Sequence, residues 1–102
     1  MADALDSLPT PSLLLDQARL MRNAERMRSR MAGLGVTFRP HLKTAKSVEA
    51  AKFILGTTPG PATVSTLKEA EVFGAAGITD LLYAVCISPH KHLYQPPGAG
   101  DV

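Results

Sequence analysis

Phe38-Arg39-Pro40-His41-Leu42-Lys43-Thr44-Ala45-Lys46 is the stretch on which the fold prediction depends. It is a short extended run that ends in two lysines just before a segment with helical character. In a βα unit, a lysine at the carboxyl end of a strand points its amine towards the mouth where α/β folds place their chemistry, so Lys43 could be a Schiff-base nucleophile. The alternative is that Lys43 and Lys46 are solvated loop charges, as most surface lysines are.

The composition indicates a single globular domain. The chain has 102 residues, 45% of them hydrophobic, which suits a folded core. Its net charge of +2 favours neither a nucleic-acid binder nor a membrane-surface protein. Cys86 is the single cysteine, which excludes an intrachain disulfide and predicts a reducing, cytoplasmic setting. We expect no signal peptide, because the segment before Thr10 is acidic, and no apolar run reaches membrane-spanning length.

Strand-like and helix-like segments alternate along the chain. Apolar or β-branched composition predicts strands over residues 10–15, 36–39, 61–65 and 80–86. Helices are predicted between them, and each ends at a glycine and begins after an N-cap candidate: Asp16, Ser47 and Thr66. Because helices bridge successive strands, the pattern predicts a parallel sheet with right-handed crossovers.

The spacing of the predicted strands narrows the fold class. Successive strands start about 20 to 25 residues apart, which is compatible with a (β/α)8 TIM-type barrel of roughly 250 residues. We therefore predict an α/β fold, with parallel strands and flanking helices, that corresponds to about the first three βα units of such a barrel and covers residues 1–88. Residues 89–102 are rich in proline and glycine, and we predict a disordered tail there.

The predicted helices have distinct faces. Spacings of three and four predict a buried face on the first helix, formed by Leu20, Ala24, Met27, Met31 and Leu34. Four arginines fall on another side of that helix, at positions 19, 22, 26 and 30. Such a stripe could bind phosphate, but no aromatic residue is interleaved, so we interpret it as a solvated face. The last helix is predicted to bury Leu67, Ala70, Phe73 and Ala76.

Several spaced segments together resemble one enzyme family. In chain order they are Thr10–Asp16, Arg22-Asn23, Arg39–Lys46, residues 62–64 with 69–71, and residues 76–84. They are similar to the amino-terminal part of the D-threonine aldolase and D-serine dehydratase family, and the resemblance covers about residues 10–91. That family resembles alanine racemase in its amino-terminal domain. The resemblance implies a pyridoxal-phosphate barrel of the third fold type for this cofactor, of which this chain is an amino-terminal fragment.

The resemblance also implies a chemistry, namely a pyridoxal-phosphate-dependent enzyme that acts on D-amino acids. Lys43 matches the family's lysine position and would form the Schiff base with the cofactor, whose ring is an electron sink. The reaction would be dehydration of D-serine or retro-aldol cleavage of D-threonine-type substrates. Lys46 competes with Lys43 for the Schiff base but does not match the family's position.

Three neighbours of Lys43 are further candidates. His41 could orient the lysine or meet the cofactor ring, and a packed, hydrogen-bonded histidine is the alternative. Arg39 is a weaker cofactor-binding candidate, as is Thr44, and for both of them a structural role is the alternative. Where many family members have a histidine two positions after the Schiff-base lysine, this chain has Ala45, so any role of that histidine is absent here.

No metal site is predicted within this chain. A divalent metal could polarise the β-hydroxyl in the full-length family. The resemblance implies that the metal ligands and the phosphate-binding loops come from later strands and a carboxyl-terminal domain. His90 and His92 are spaced for a metal but lack further ligands, so we interpret them as part of a solvated tail. Cys86 is interpreted as a buried thiol.

Two alternatives to the enzyme remain open at this point. The chain could belong to a non-catalytic pyridoxal-phosphate carrier of the same fold type, or it could be an inactive truncated product. For the enzyme, we expect a small D-amino acid as the partner, no nucleic acid and no membrane, and a homodimer for the full-length protein.

Overall fold

The computed structural model describes residues 2–56 and 59–91. Its helices and strands are α1 (Ala2–Asp6), α2 (Gln17–Gly33), α3 (Val48–Leu55), β1 (Ala62–Val64), α4 (Leu67–Ala75) and β2 (Leu81–Tyr83), followed by a 3-10 turn at Pro89–Lys91. The strands β1 and β2 are parallel and are connected through α4. A single parallel bridge joins His41 to Thr63 on the other side of β1. The predicted α/β arrangement with parallel strands is therefore confirmed, whereas the barrel remains a prediction.

The three predicted N-caps are confirmed. The side chain of Asp16 accepts a hydrogen bond from the backbone N–H of Arg19 at 3.1 Å and begins α2. Ser47 and Thr66 begin α3 and α4 in the same way, with donor–acceptor distances of 3.2 Å and 3.0 Å. Each such bond satisfies one backbone donor that the first helical turn leaves without a partner, and it contributes about 1 kcal/mol.

The core lies between the strands and the two helices α3 and α4. Its buried members are Leu42, Ala51, Ala62, Val64, Ala70, Phe73 and Ile78. Leu42 and Phe73 are each only 2% exposed, and burial of one such side chain contributes about 1.5–3 kcal/mol. The core therefore fixes the residue immediately before Lys43.

Two of the predicted strands are wrong. Residues 10–15 form no strand in this structure, and Leu13 is 98% exposed. Residues 36–39 are also irregular, and pairing with β1 starts at residue 40, whose carbonyl accepts from the Thr63 N–H at 2.8 Å. A strand needs a neighbour for its backbone N–H and C=O groups, and the described residues supply none for residues 10–15.

The other two predicted strands form but are shorter than expected. The strand predicted over residues 61–65 contains only Ala62–Val64, and the strand predicted over residues 80–86 contains only Leu81–Tyr83. We expected the second one to be covered on both faces, but Leu82 is 52% exposed because no described element covers that face.

The predicted helix faces are correct in part. On α2 only Ala24 is buried, while Met27 and Leu34 are 43% and 64% exposed. On α4, Ala70 and Phe73 are buried as predicted, whereas Ala76 follows the last helical residue and is exposed. Apart from the turn at Pro89–Lys91, the predicted tail lies outside the described residues. Among the described helices, none combines the length and the apolar character needed to cross a membrane.

Candidate functional site

Lys43 lies at the carboxyl end of the segment that pairs with β1. The N–H of Leu42 donates to the carbonyl of Thr63 at 2.9 Å, and the N–H of Thr63 donates to the carbonyl of Pro40 at 2.8 Å. These two bonds hold residues 40–42 parallel to β1 up to the point where Lys43 begins a turn. The side chain of Lys43 is exposed at the end of the sheet towards which the parallel strands run.

His41 is held next to Lys43. Its Nδ1 atom accepts a hydrogen bond from the backbone N–H of Lys43 at 3.3 Å, and in a neutral ring this leaves Nε2 as the donor. Because side chains alternate along an extended segment, His41 lies on the face opposite to the buried Leu42. That face includes Thr63, which is aligned with His41 across the sheet. The structure therefore brings His41 and Lys43 together.

Arg39 lies at the opposite end of the strands. Its guanidinium donates to the carbonyls of Ala62 and Asp80 at 3.1 Å and 3.0 Å, and to the Asp80 carboxylate at 2.9 Å. Ala62 is the first residue of β1 and Asp80 directly precedes β2, so these contacts join the amino ends of both strands. Because an extended chain advances by about 3.3 Å per residue, residues 39 and 42 are separated by roughly 10 Å along the strand direction. The structure does not bring Arg39 together with His41 and Lys43, and its contacts favour the structural alternative.

The turn after Lys43 is connected to a buried carboxylate. The N–H of Lys46 donates to the carbonyl of Leu42 at 3.1 Å, which closes the turn over residues 43–45. The Nζ atom of Lys46 lies 3.9 Å from Oε2 of Glu69, in the first turn of α4. Lys43, in contrast, has no ion pair or side-chain hydrogen bond within residues 2–56 and 59–91.

Glu69 is one of the two polar residues that are buried in the described chain, with 6% of its surface exposed. Its carboxylate accepts from the Ser65 N–H at 3.2 Å, from the Ser65 hydroxyl at 2.8 Å and from the Thr66 hydroxyl at 3.0 Å. Burial raises the pKa of Glu69, but these hydrogen bonds and the nearby Lys46 outweigh it, so the pKa is lowered overall. Glu69 is therefore an anionic group fixed where β1 ends.

Other predicted residues lie outside this arrangement. Cys86 is exposed rather than buried, because β2 ends at Tyr83 and the chain beyond it is irregular. Thr44 and Ala45 are exposed in the turn. His92 lies outside the described residues, and no three His, Cys, Asp or Glu side chains are grouped for a metal in the described part of the chain.

Two contacts were missed by the sequence analysis. The first is the approach of the Lys46 amine to Glu69, which depends on the fold because the two residues lie 23 positions apart in the chain. The second missed contact is made by Arg28, whose guanidinium donates to the carbonyls of Phe53 and Ile54 at 2.7 Å and 2.9 Å. A signal existed for Arg28, since it lies four residues after the buried Ala24 and so on the same helical face.

Comparisons with known proteins identify relatives. The chain is 50% identical over 91 residues to D-threo-3-hydroxyaspartate dehydratase of Delftia sp. (strain HT23), which covers 89% of this chain and 24% of that protein. It is 37% identical over 95 residues to D-serine dehydratase of Dictyostelium discoideum, which covers 87% of this chain and 24% of that protein. No family model matches the chain.

Solved structures agree with these relatives. An alanine racemase-like protein from Idiomarina loihiensis superposes with a TM-score of 0.81 at 48% identity, over 87% of this chain and 24% of its own. D-threo-3-hydroxyaspartate dehydratase from Delftia sp. HT23 superposes with a TM-score of 0.78 at 50% identity, over 84% of this chain and 23% of its own. This chain is a segment homologous to the D-serine dehydratase family.

Similarity to the D-serine dehydratase family confirms the resemblance read from the spaced motifs. The chain spans about a quarter of the length of the curated relatives it matches. The names of the two dehydratases refer to D-amino acids, and the Idiomarina protein is described as alanine racemase-like. None of these reported relatives is named as a D-threonine aldolase.

Proposed function

We propose that this chain supplies the cofactor-anchoring lysine of a pyridoxal-phosphate-dependent dehydratase that acts on D-amino acids. The position of Lys43 carries the proposal: it directly follows the buried Leu42 at the carboxyl end of a β1-paired segment, and its side chain is exposed. Relatives named as dehydratases of D-serine and of D-threo-3-hydroxyaspartate support the substrate class. They favour dehydration over retro-aldol cleavage of D-threonine-type substrates, which the same lysine could also serve.

The residues present fit this cofactor. When bound, pyridoxal phosphate would supply an aldehyde that can bond to a lysine amine, and a ring that can accept the electron pair of a broken Cα bond. The lysine must be accessible and not held in an ion pair. Lys43 meets both conditions within residues 2–56 and 59–91, whereas Lys46 lies beside Glu69. The geometry therefore favours Lys43 over its competitor.

The two residues of the site have separate tasks. Once the substrate amine has replaced it on the cofactor, the Lys43 amine would be free to act as a general base. It could then accept the Cα proton, which D-serine and D-threo-3-hydroxyaspartate must lose together with the β-hydroxyl during dehydration. His41 holds the Lys43 backbone through its Nδ1 atom, and its ring lies on the same side of the sheet as Thr63.

A metal that assists loss of the hydroxyl would be bound by residues outside this chain. We further propose a homodimeric, cytoplasmic protein that binds neither nucleic acid nor membrane.

Replacement of Lys43 tests the proposal. In the intact protein with pyridoxal phosphate, Lys43→Ala should abolish the visible absorbance of the lysine–cofactor bond and reduce dehydration of D-serine and D-threo-3-hydroxyaspartate roughly 10³-fold or more. Lys52→Ala, an exposed lysine on α3, is the matched control and should retain both signals. Cofactor binding without turnover in the wild type would indicate the non-catalytic carrier. Cofactor binding that leaves Lys43 without a covalent bond to pyridoxal phosphate would refute the proposal.

A further inference from the structure

The turn that carries Lys43 ends at a residue in an unusual backbone conformation. Lys46 has a φ of 49°, and among the described residues it is the only one other than glycine with a positive φ. This left-handed region is disfavoured for residues with a Cβ atom, so contacts elsewhere must compensate for it. Two contacts are present: the bond from the Lys46 N–H to the Leu42 carbonyl, and the approach of the Lys46 amine to Glu69.

Glu69 is a rigid partner for this turn. Its carboxylate is buried and receives three hydrogen bonds from Ser65 and Thr66, which adjoin the carboxyl end of β1. Burial of a carboxylate is unfavourable unless such donors surround it, so the position of Glu69 is fixed independently of Lys46. The Lys46 side chain is 62% exposed and is the more accessible partner of the pair.

We propose that Glu69 is a positioning residue for Lys43: through Lys46 it holds the turn over residues 43–45 and keeps the second lysine amine away from the cofactor. The inference depends on the proposed function, because it assumes that Lys43 binds an aldehyde. Two amines three positions apart could compete for that aldehyde. Glu69 selects between them, since an amine held against a carboxylate is less available to react.

Chemical trapping measures this selection. The intact protein is incubated with pyridoxal phosphate and reduced with borohydride, which adds a hydride to the imine carbon while the nitrogen takes a proton from water. Peptide mapping then gives the ratio of label at Lys43 to label at Lys46. We expect Glu69→Gln, which keeps the size of the side chain, to lower this ratio about two- to fivefold, in keeping with a partly exposed ion pair. Glu71→Gln on the same helix is the control and should leave the ratio unchanged.

A second pair of variants separates positioning from a general structural role. Lys46→Met removes the competing amine and also the ion pair with Glu69. If the ion pair positions the turn, turnover should fall about two- to fivefold even though no second lysine competes for the cofactor. Lys46→Arg keeps the charge next to Glu69 and should retain the turnover that Lys46→Met loses. Circular dichroism checks that both variants are folded.

The outcomes distinguish this inference from the proposed function. Label at Lys43 in the wild type, together with an unchanged ratio in Glu69→Gln and equal turnover of the two Lys46 variants, would overturn the role of Glu69 and leave the proposed function intact. Absence of label at Lys43 in the wild type would overturn both. A lowered ratio with Lys46→Arg more active than Lys46→Met supports the positioning role.

Discussion

At the scale of single residues, three consecutive side chains at the end of the segment that pairs with β1 lie in three different environments. Leu42 is buried in the core, and its backbone is hydrogen-bonded to Thr63, so its position is fixed. The alternation of an extended chain then places His41 on the opposite face. Lys43 follows Leu42 directly and is exposed. The buried Leu42 side chain therefore fixes the backbone next to the exposed Lys43 amine.

The carboxylate of Glu69 predicts a dependence of stability on pH. Its pKa in the folded chain is lowered, because hydrogen bonds from Ser65 and Thr66 and the nearby Lys46 outweigh the effect of burial, which alone would raise it. The ionised form therefore stabilises the fold fully above the unfolded-state pKa of a glutamate, and this contribution is lost as the pH falls through the lowered pKa.

Thermal unfolding of the wild type and Glu69→Gln, compared from neutral to acidic pH, measures this contribution. The difference between their midpoints should be largest at neutral pH and shrink in acid. A difference for Glu69→Gln that is constant across this range would contradict the assignment.

At the scale of helices and strands, Arg28 joins two helices. It lies on α2 and donates to the carbonyls of Phe53 and Ile54 in the last turn of α3, where the helix dipole is negative. Arg28→Met should lower the free energy of unfolding by about 1.5–3 kcal/mol, because two carbonyls lose a charged donor. Arg22→Met, at an exposed site on α2, should change it by less than about 0.5 kcal/mol. Equal effects in urea unfolding would rule out the link.

The helices could be predicted from residues close together in the sequence, whereas the formation of strands depended on contacts between residues far apart in the sequence. Asp16, Ser47 and Thr66 act on N–H groups three positions away, so the caps and the helices they begin could be read from the sequence. Residues 10–15 have strand composition, but a strand also needs a partner, and composition does not encode one. For the same reason the approach of Lys46 to Glu69 could not be predicted, because it joins two residues that are distant in the sequence.

At the scale of the whole molecule, the described chain leaves apolar surface uncovered. Leu13, Leu14 and Leu15 are 98%, 63% and 62% exposed, and Leu82 is 52% exposed. Within the described residues β2 pairs only with β1, so one of its edges is open. The relatives are about four times as long as this chain. Exposed apolar patches and open edges favour association.

We therefore expect the 102-residue chain, produced alone, to self-associate. Light scattering coupled to size exclusion should detect species larger than the monomer, and their fraction should rise with concentration. Replacing Leu13, Leu14 and Leu15 together by serine should reduce this fraction, since it removes a run of three consecutive exposed leucines. Met27→Ser, an exposed apolar site on α2, is the control and should have a smaller effect. A monomeric chain with a cooperative unfolding transition would show instead that these surfaces need no partner.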